Sequence, residues 1–212
     1  MSNVEYHKIE TLYERDEKTK KLIMGKFRNP TVEYLKDNIW TFTEKVDGTN
    51  IRVYWDGHKV SFSGRTDRAE IPNHLLNRLN TLFGGQTNEQ MFEQKFGENE
   101  VELFGEGYGH KIQNGDAYRE DVDFILFDVM INGNYQPRES VEDIANFFGI
   151  DVVPIVLEGT IDDGVNYVLN NRISLVAKNG AEIEGLVGRT KLETFDRSGK
   201  RNIVKIKYKD FN

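Results

Sequence analysis

The sequence contains no cysteine. Disulfide bonds are therefore excluded, and so are metal sites built on thiolate ligands. Histidine is scarce as well, since only His7, His58, His74 and His110 occur. Their positions show no H-x-x-x-H or similar ligand spacing, which sets zinc hydrolysis aside.

Long apolar runs are also missing. No stretch approaches the roughly 18 residues that a membrane-spanning helix needs. The N-terminal stretch 1–21 is polar and mixed in charge, without the apolar central region of a secretory signal. We therefore expect an intracellular, cytoplasmic protein.

The chain lacks an excess of positive charge. Its 28 lysines and arginines face 35 aspartates and glutamates, for a formal net charge of −7. Proteins that coat nucleic acid non-specifically usually carry a basic excess, so this balance argues against that class. A local basic face can still bind a few phosphates, because net charge governs long-range steering rather than individual contacts.

No internal repeat, low-complexity stretch or Pro/Gly/Ser-rich linker divides the 212 residues, which include only four prolines. A chain of this length buries a sizeable core, and we predict a single domain over 1–212.

Strand patterns dominate the chain. Strands are predicted at 39–46, 50–55, 58–63, 99–106, 122–131, 151–157, 183–189 and 202–208. Helices are predicted at 71–83, 88–96, 139–148 and 161–171. The turn dipeptides Asp47-Gly48 and Asp56-Gly57 predict that the first three strands form an antiparallel meander. The pattern favours an α+β fold built on antiparallel sheet.

Lys45 lies at the end of a predicted strand, just before Asp47-Gly48. Taken alone, this pattern favours a hairpin with an exposed lysine. The alternative is a nucleophile. A free lysine has a pKa of roughly 10.4, so a nucleophilic lysine needs nearby cations or a metal ion to lose its proton.

Near the C-terminus, Lys205 and Lys207 point to the same face of a predicted strand. The pair by itself favours a solvated edge face. The alternative is a clamp on a phosphate, which would also help Lys45 to lose its proton.

Glu184 lies in an apolar strand pattern, where a carboxylate is unfavourable unless it is paired or binds a metal. Magnesium takes carboxylate oxygens, so Glu184 is a candidate metal ligand. Otherwise Glu184 faces the surface together with Glu182.

Residues 101–109 (VELFGEGYG) do not have the spacing of a phosphate-binding P-loop. The glycines instead allow close approach of the backbone, with Glu106 directed into a pocket where it could accept hydrogen bonds from a ribose. In 123–129 (DFILFDV), alternation predicts that one of Phe124 and Phe127 lines a cleft while the other packs inside.

The order of these motifs resembles the covalent nucleotidyltransferase superfamily, which includes ATP- and NAD-dependent ligases and mRNA capping enzymes. Residues 44–50 (EKVDGTN) and 198–207 (SGKRNIVKIK) look like its RNA ligase branch, the family of phage T4 RNA ligase 2 and the RNA-editing ligases. Asn50 stands where DNA ligases typically carry arginine. The resemblance spans roughly 40–208 and implies an ATP-grasp-like ligase adenylation domain.

The resemblance also implies roles for individual residues. Lys45 matches the lysine that becomes adenylated, and Glu184 matches the metal-associated carboxylate. Lys205 and Lys207 match the lysines on the α-phosphate. The remaining nucleotide-binding positions are Glu44 beside the adenine, Asp47 and Gly48 of the first motif, Asn50 and Arg65 near the sugar and phosphates, Glu106 on the ribose and Phe127 stacked on adenine. Some close RNA ligases have histidine in place of Asp47.

By this resemblance we expect an ATP-dependent RNA ligase that uses Mg²⁺ or Mn²⁺ and acts on nicked RNA or juxtaposed RNA ends. The chain ends five residues after Lys207. We therefore expect no OB-fold and no extra C-terminal domain, a monomer, and a protein partner that replaces the missing domain.

Three alternatives remain open. A minimal ATP-dependent DNA ligase would seal nicked DNA by the same chemistry. A capping guanylyltransferase would use GTP. A non-catalytic nucleotide- or RNA-binding module would keep the fold alone, although the retention of every charged candidate residue argues against it.

Overall fold

The computed structural model describes residues 6–66, 69–171, 173–178 and 180–211. The strands are β1 (Glu10–Thr11), β2 (Tyr13–Arg15), β3 (Leu22–Phe27), β4 (Trp40–Lys45), β5 (Thr49–Trp55), β6 (Val60–Gly64), β7 (Val101–Gly109), β8 (Val122–Ile131), β9 (Asn134–Tyr135), β10 (Asp151–Val152), β11 (Ile155–Gly159), β12 (Gly185–Thr190) and β13 (Ile203–Lys207). The helices are α1 (Pro30–Tyr34), α2 (Asn73–Phe83), α3 (Gln86–Phe96), α4 (Arg138–Phe148) and α5 (Ile161–Asn170). Within these ranges, the helices lack the combination of length and apolar character that a membrane span requires.

The chain folds into two compact units. Unit 1 comprises Met1–Tyr6 and Asp47–Val153, and unit 2 comprises His7–Val46 and Pro154–Asn212. The prediction of a single domain over 1–212 stays a prediction.

Unit 1 is built on a sheet with the order β10-β8-β7-β5-β6, and β9 pairs with β8. All its pairings are antiparallel except that of β10 with β8. Leu75, Leu79 and Phe83 recur every four residues along α2 and are fully buried, as one apolar helix stripe requires. They join α3, α4 and the inner face of the sheet in one core.

Unit 2 contains a five-stranded sheet with the order β1-β13-β12-β4-β11 and a two-stranded β2-β3 ribbon. Side chains alternate along β4, so that Trp40, Phe42 and Glu44 are buried while the residues between them are only partly buried. The buried face packs on α5, whose start is fixed by a capping box between Thr160 and Asp163.

The predicted meander is half correct. Strands β5 and β6 pair antiparallel, but β4 belongs to the other sheet, where it lies between β12 and β11. The dipeptide Asp47-Gly48 therefore begins the long segment of unit 1, directly after the end of a unit 2 segment at Val46, instead of closing a hairpin. Long-range strand pairing has overridden the local turn signal.

The predicted strand 151–157 is also two strands. Strand β10 pairs with β8 in unit 1, and β11 pairs with β4 in unit 2. Pro154 lies at the break, where its missing N–H and fixed φ interrupt a ladder. Strands β1 to β3 and helix α1 had no counterpart in the sequence patterns.

Candidate active site

Lys45 is the last residue of β4, on the sheet face opposite the apolar core of unit 2. Its side chain is 24% exposed. The lysine is not at the tip of a hairpin, because β4 pairs with β12 and β11 rather than with β5. The tertiary pairing thus places this amine on a partly enclosed sheet face.

Glu184 lies directly before β12 and contacts two lysines. Lys45 Nζ donates a hydrogen bond to Glu184 Oε2 at 2.6 Å, and Lys207 Nζ forms an ion pair with Glu184 Oε1. The Glu184 side chain is only 10% exposed, whereas Glu182 is exposed. The surface-facing interpretation of Glu184 is therefore wrong. One carboxylate links the first and last motifs of the chain.

Strand register explains why these groups meet. Lys45 lies opposite Gly185 on β12, and Gly185 lies opposite Lys207 on β13. Residues directly opposite one another share a face of the sheet. A Cβ at Gly185 would come within 2.1 Å of the Ile206 carbonyl oxygen, so only glycine allows this approach.

Lys205 lies two residues before Lys207, and both are only partly buried while their neighbours on β13 are buried. The predicted shared face of the two lysines is therefore present. Burial lowers the pKa of Lys205, and the charges of Lys207, Lys45 and Lys8 lower it further. Three ammonium groups thus gather on this face with Glu184 as the carboxylate that two of them contact.

This cluster suits an anion such as a phosphate, because its positive charge exceeds what one carboxylate balances. It is also compatible with a divalent cation. Magnesium usually binds through one or two carboxylates and substrate phosphates and keeps several waters. Within the described residues, no group of three His, Asp or Glu forms a protein cage, so Glu184 would hold such an ion together with a bound phosphate.

Glu44 points to the opposite side of β4 from Lys45 and is 1% exposed. Its carboxylate accepts hydrogen bonds from Ser174 Oγ and from the Leu175 backbone N–H, the latter at 2.7 Å. Burial raises the pKa of Glu44 above its usual range, although these hydrogen bonds partly oppose the shift. The carboxylate holds the 174–177 segment. Its predicted place beside adenine stays a prediction.

Unit 1 contains the other polar candidates. Asn50 on β5 lies directly opposite Glu106 on β7, so the two share a sheet face. A Cβ at Gly48 would lie 2.3 Å from the Gly107 carbonyl oxygen, which explains the glycine. The structure brings these residues together at one end of the β5–β7 pair.

Asp47 is anchored within unit 1 by two side chains. The Asn114 amide donates to Asp47 Oδ2 at 2.8 Å, and the Asp47 backbone N–H donates to Tyr118 Oη at 3.3 Å. Sequence patterns did not indicate Asn114 or Tyr118. Both residues lie far from Asp47 along the chain, so no local sequence pattern predicts these hydrogen bonds.

The two phenylalanines of β8 differ in burial, while the predicted place of one of them in a cleft stays a prediction. Phe124 is 1% exposed and belongs to the core of unit 1. Phe127 is only partly buried, and its ring contacts Tyr6 edge-on at 5.1 Å. It lies at a bulge, because Phe104 and Gly105 on β7 face Asp128 and Leu126. Arg65 is exposed just after β6.

The model of the RNA ligase family matches residues 38–207. The chain belongs to the RNA ligase family. The match includes every candidate residue named above as a site residue, from Glu44 to Lys207. A comparison with curated proteins finds no match.

Solved structures of RNA ligases share the fold. A variant of Naegleria gruberi RNA ligase with ATP and Mn has a TM-score of 0.67 at 21% identity, covering 98% of this chain and 56% of that one. Another variant with AMP and Mn has a TM-score of 0.61 at 21% identity, covering 84% and 52%. The same enzyme with PPi gives 0.60 at 23% identity, covering 84% and 52%. The predicted α+β ligase fold is confirmed, and this chain spans about half the length of those ligases.

Proposed function

We propose that the chain is an ATP-dependent RNA ligase that carries AMP on Lys45 and seals 5′-phosphate to 3′-hydroxyl ends. The observation that carries this proposal is the cluster on the unit 2 sheet, where the Lys45 amine shares Glu184 with Lys207. Membership of the RNA ligase family over residues 38–207 supports it.

In the first step, the neutral Lys45 amine attacks the α-phosphorus of ATP. A nitrogen–phosphorus bond forms, the bond to the bridging oxygen breaks, and its electrons leave with pyrophosphate. The nitrogen loses its remaining extra proton to solvent, which leaves a phosphoramidate. Lys205 and Lys207 stabilise charge on the α-phosphate oxygens because they lie on the same face as the amine.

AMP then passes from Lys45 to a 5′-phosphate end, and a 3′-hydroxyl attacks that activated phosphate. The second transfer releases AMP and joins the strand. The same lysines serve both reactions, since each one develops charge on phosphate oxygens. Fixed orientation of the reacting ends supplies much of the remaining acceleration.

ATP and a divalent cation are the proposed cofactors, in keeping with the ATP, AMP and Mn of the Naegleria structures. The cation, Mg²⁺ or Mn²⁺, neutralises phosphate charge when bound. Glu184 would help to hold it. Asn50, Arg65, Glu106 and Phe127 are the proposed contacts of the nucleoside and phosphates, with Asp47 and Gly48 beside them and Glu44 near the adenine.

Labelling with α-labelled ATP tests the nucleophile. Incubation with Mg²⁺ or Mn²⁺ followed by a denaturing gel is expected to show covalent AMP on the wild type and none on Lys45→Ala. Lys191→Ala is the matched control, because Lys191 lies in the same unit but pairs with Glu158 at an exposed position. Label on Lys45→Ala would overturn the assignment.

The substrate is tested separately. Sealing of nicked RNA, nicked DNA and hybrid duplexes should favour RNA, while a preference for nicked DNA would establish the DNA ligase alternative. Labelling by GTP instead of ATP would indicate a capping enzyme. The complete absence of an AMP adduct would indicate a binding module without catalysis.

A further inference from the structure

A basic cleft lies at the β1 edge of the unit 2 sheet. It has a volume of about 320 Å³, and its cationic lining comes from Lys8, Arg15, Arg28, Lys205, Lys207 and Lys209. Lys205 and Lys207 are the lysines that face the Lys45 side of the sheet. The cleft is therefore adjacent to the position proposed for the α-phosphate, because the same two lysines line both.

The acidic residues that line the cleft do not neutralise all of its positive charge. Its two acids are engaged, because Glu10 pairs with Arg28 at 3.1 Å and Asp210 pairs with Arg15. In the described part of the chain, Lys8, Lys205 and Lys209 have no salt bridge to a carboxylate. A cleft with three unpaired ammonium groups suits a multiply charged anion.

The N-terminal segment builds this cleft. Strand β1 pairs in parallel with β13, so that Thr11 lies beside Lys205. The Leu12 backbone N–H also donates to the Lys205 carbonyl at 3.3 Å. Lys8, Arg15 and Arg28 all precede residue 38, where the match to the family begins. These three cations thus lie outside the residues that match the family model.

The strand order places the cleft on the side of Lys205 and Lys207 that is away from Lys45. Across the sheet, Lys45 on β4 is followed by β12, then by Lys205 and Lys207 on β13, and then by β1. In phosphoryl transfer the leaving group departs roughly in line, on the opposite side of phosphorus from the nucleophile. With the α-phosphate held by Lys205 and Lys207, the side away from Lys45 is the side of the cleft.

We propose that this cleft binds the β- and γ-phosphates of ATP and the pyrophosphate that leaves, through Lys8, Lys209 and the arginines beside them. The proposal rests on the proposed function for its chemistry, since pyrophosphate is the product of lysine adenylation. Phosphates of a polynucleotide share the same chemistry, and the experiment below separates the two sources.

The test compares Lys8→Ala/Lys209→Ala with Lys18→Ala/Lys21→Ala. Both double variants remove two positive charges from exposed positions in unit 2, but Lys18 and Lys21 do not line the cleft. Three quantities are measured: the affinity of the protein for inorganic pyrophosphate by calorimetry, the KM for ATP in adenylation, and the rate of sealing of a pre-adenylated RNA. The last reaction needs neither ATP nor pyrophosphate.

The cleft variant should bind pyrophosphate about tenfold more weakly and show a KM for ATP raised by about as much, because charge-assisted contacts are lost. Its sealing of pre-adenylated RNA should match that of the control. Unchanged pyrophosphate affinity would overturn the proposal. Loss confined to pre-adenylated RNA would assign the cleft to the polynucleotide instead.

Failure of the proposed function gives a different result. If the wild type forms no covalent AMP, the ligase assignment fails, yet the calorimetric titration still decides whether Lys8 and Lys209 bind pyrophosphate. Covalent labelling therefore tests the ligase assignment, and calorimetry tests the pyrophosphate site.

Discussion

In unit 2, the candidate residues contact one another through charge, with Glu184 joining Lys45 and Lys207. In unit 1, the candidates are ordered by strand register instead, with Asn50 opposite Glu106 and Gly48 packed against Gly107. We propose that the first arrangement binds the reacting phosphate and that the second contacts the nucleoside. The two groups of residues should therefore affect different kinetic quantities, the maximal rate of adenylation and the KM for ATP.

The largest effect is expected for Glu184→Gln in unit 2. The change keeps the shape of the side chain but leaves two lysines without their shared, nearly buried carboxylate. We expect the rate of adenylation at saturating ATP to fall by about 100-fold, the size typical for loss of one electrostatic contact at a reacting centre. Single-turnover labelling measures this rate.

Glu158→Gln is the matched control, because Glu158 lies in the same sheet and pairs with Lys191 at an exposed position. Exposed pairs contribute little, so its adenylation rate should remain that of the wild type. Equal rates in the two variants would remove any special role of Glu184.

A smaller effect is expected for Glu106→Ala in unit 1. Loss of the proposed hydrogen bond to the ribose should raise the KM for ATP by about tenfold while the maximal rate changes less, because the ribose is a part of the nucleotide that does not react. Glu98→Ala serves as the control, since Glu98 is exposed in the same unit. A fall in maximal rate as large as that of Glu184→Gln would contradict the division between the units.

The smallest effect concerns Glu44, whose pKa is raised by burial from the usual 4.5. The folded state then binds a proton more tightly than the unfolded state. The stability from this group is complete below the unfolded pKa and is lost as pH rises through the folded pKa. The free energy of unfolding of Glu44→Gln, relative to wild type, should therefore increase from acid toward neutral pH.

The two tryptophans allow this change to be measured in unit 2 alone. Trp40 is buried in unit 2 and Trp55 in unit 1, and the chain has no other tryptophan. Denaturant unfolding followed by fluorescence in a Trp55→Phe background reports on Trp40. Glu17→Gln is the control for the substitution, because Glu17 is exposed in the same unit. A pH-independent difference for Glu44→Gln would refute the expectation.

Much of the architecture could be predicted from local patterns. The burial of Leu75, Leu79 and Phe83 follows the helical period, and the alternation of Lys205 and Lys207 along β13 follows the strand period. These patterns depend only on near neighbours in the chain. The pairing of β4 could not be predicted in this way, because its partners β11 and β12 lie far downstream.

The same limit applies to the site. The residue types of the motifs indicated Lys45, Glu184, Lys205 and Lys207. They did not indicate that Glu44 would be buried under Ser174 and Leu175, nor that Lys8 would approach Lys205. Such contacts arise from long-range packing, which leaves no periodic trace in the sequence.

Motif spacing and side-chain chemistry were sufficient to predict the family, most of the helices and strands, and the amine proposed to react. Three features depend on the three-dimensional fold: the start of a unit 1 segment at Asp47-Gly48, the sharing of Glu184 by two lysines, and the basic cleft formed with an N-terminal segment. These features could not be predicted locally, because strand register places residues from distant parts of the chain directly opposite one another.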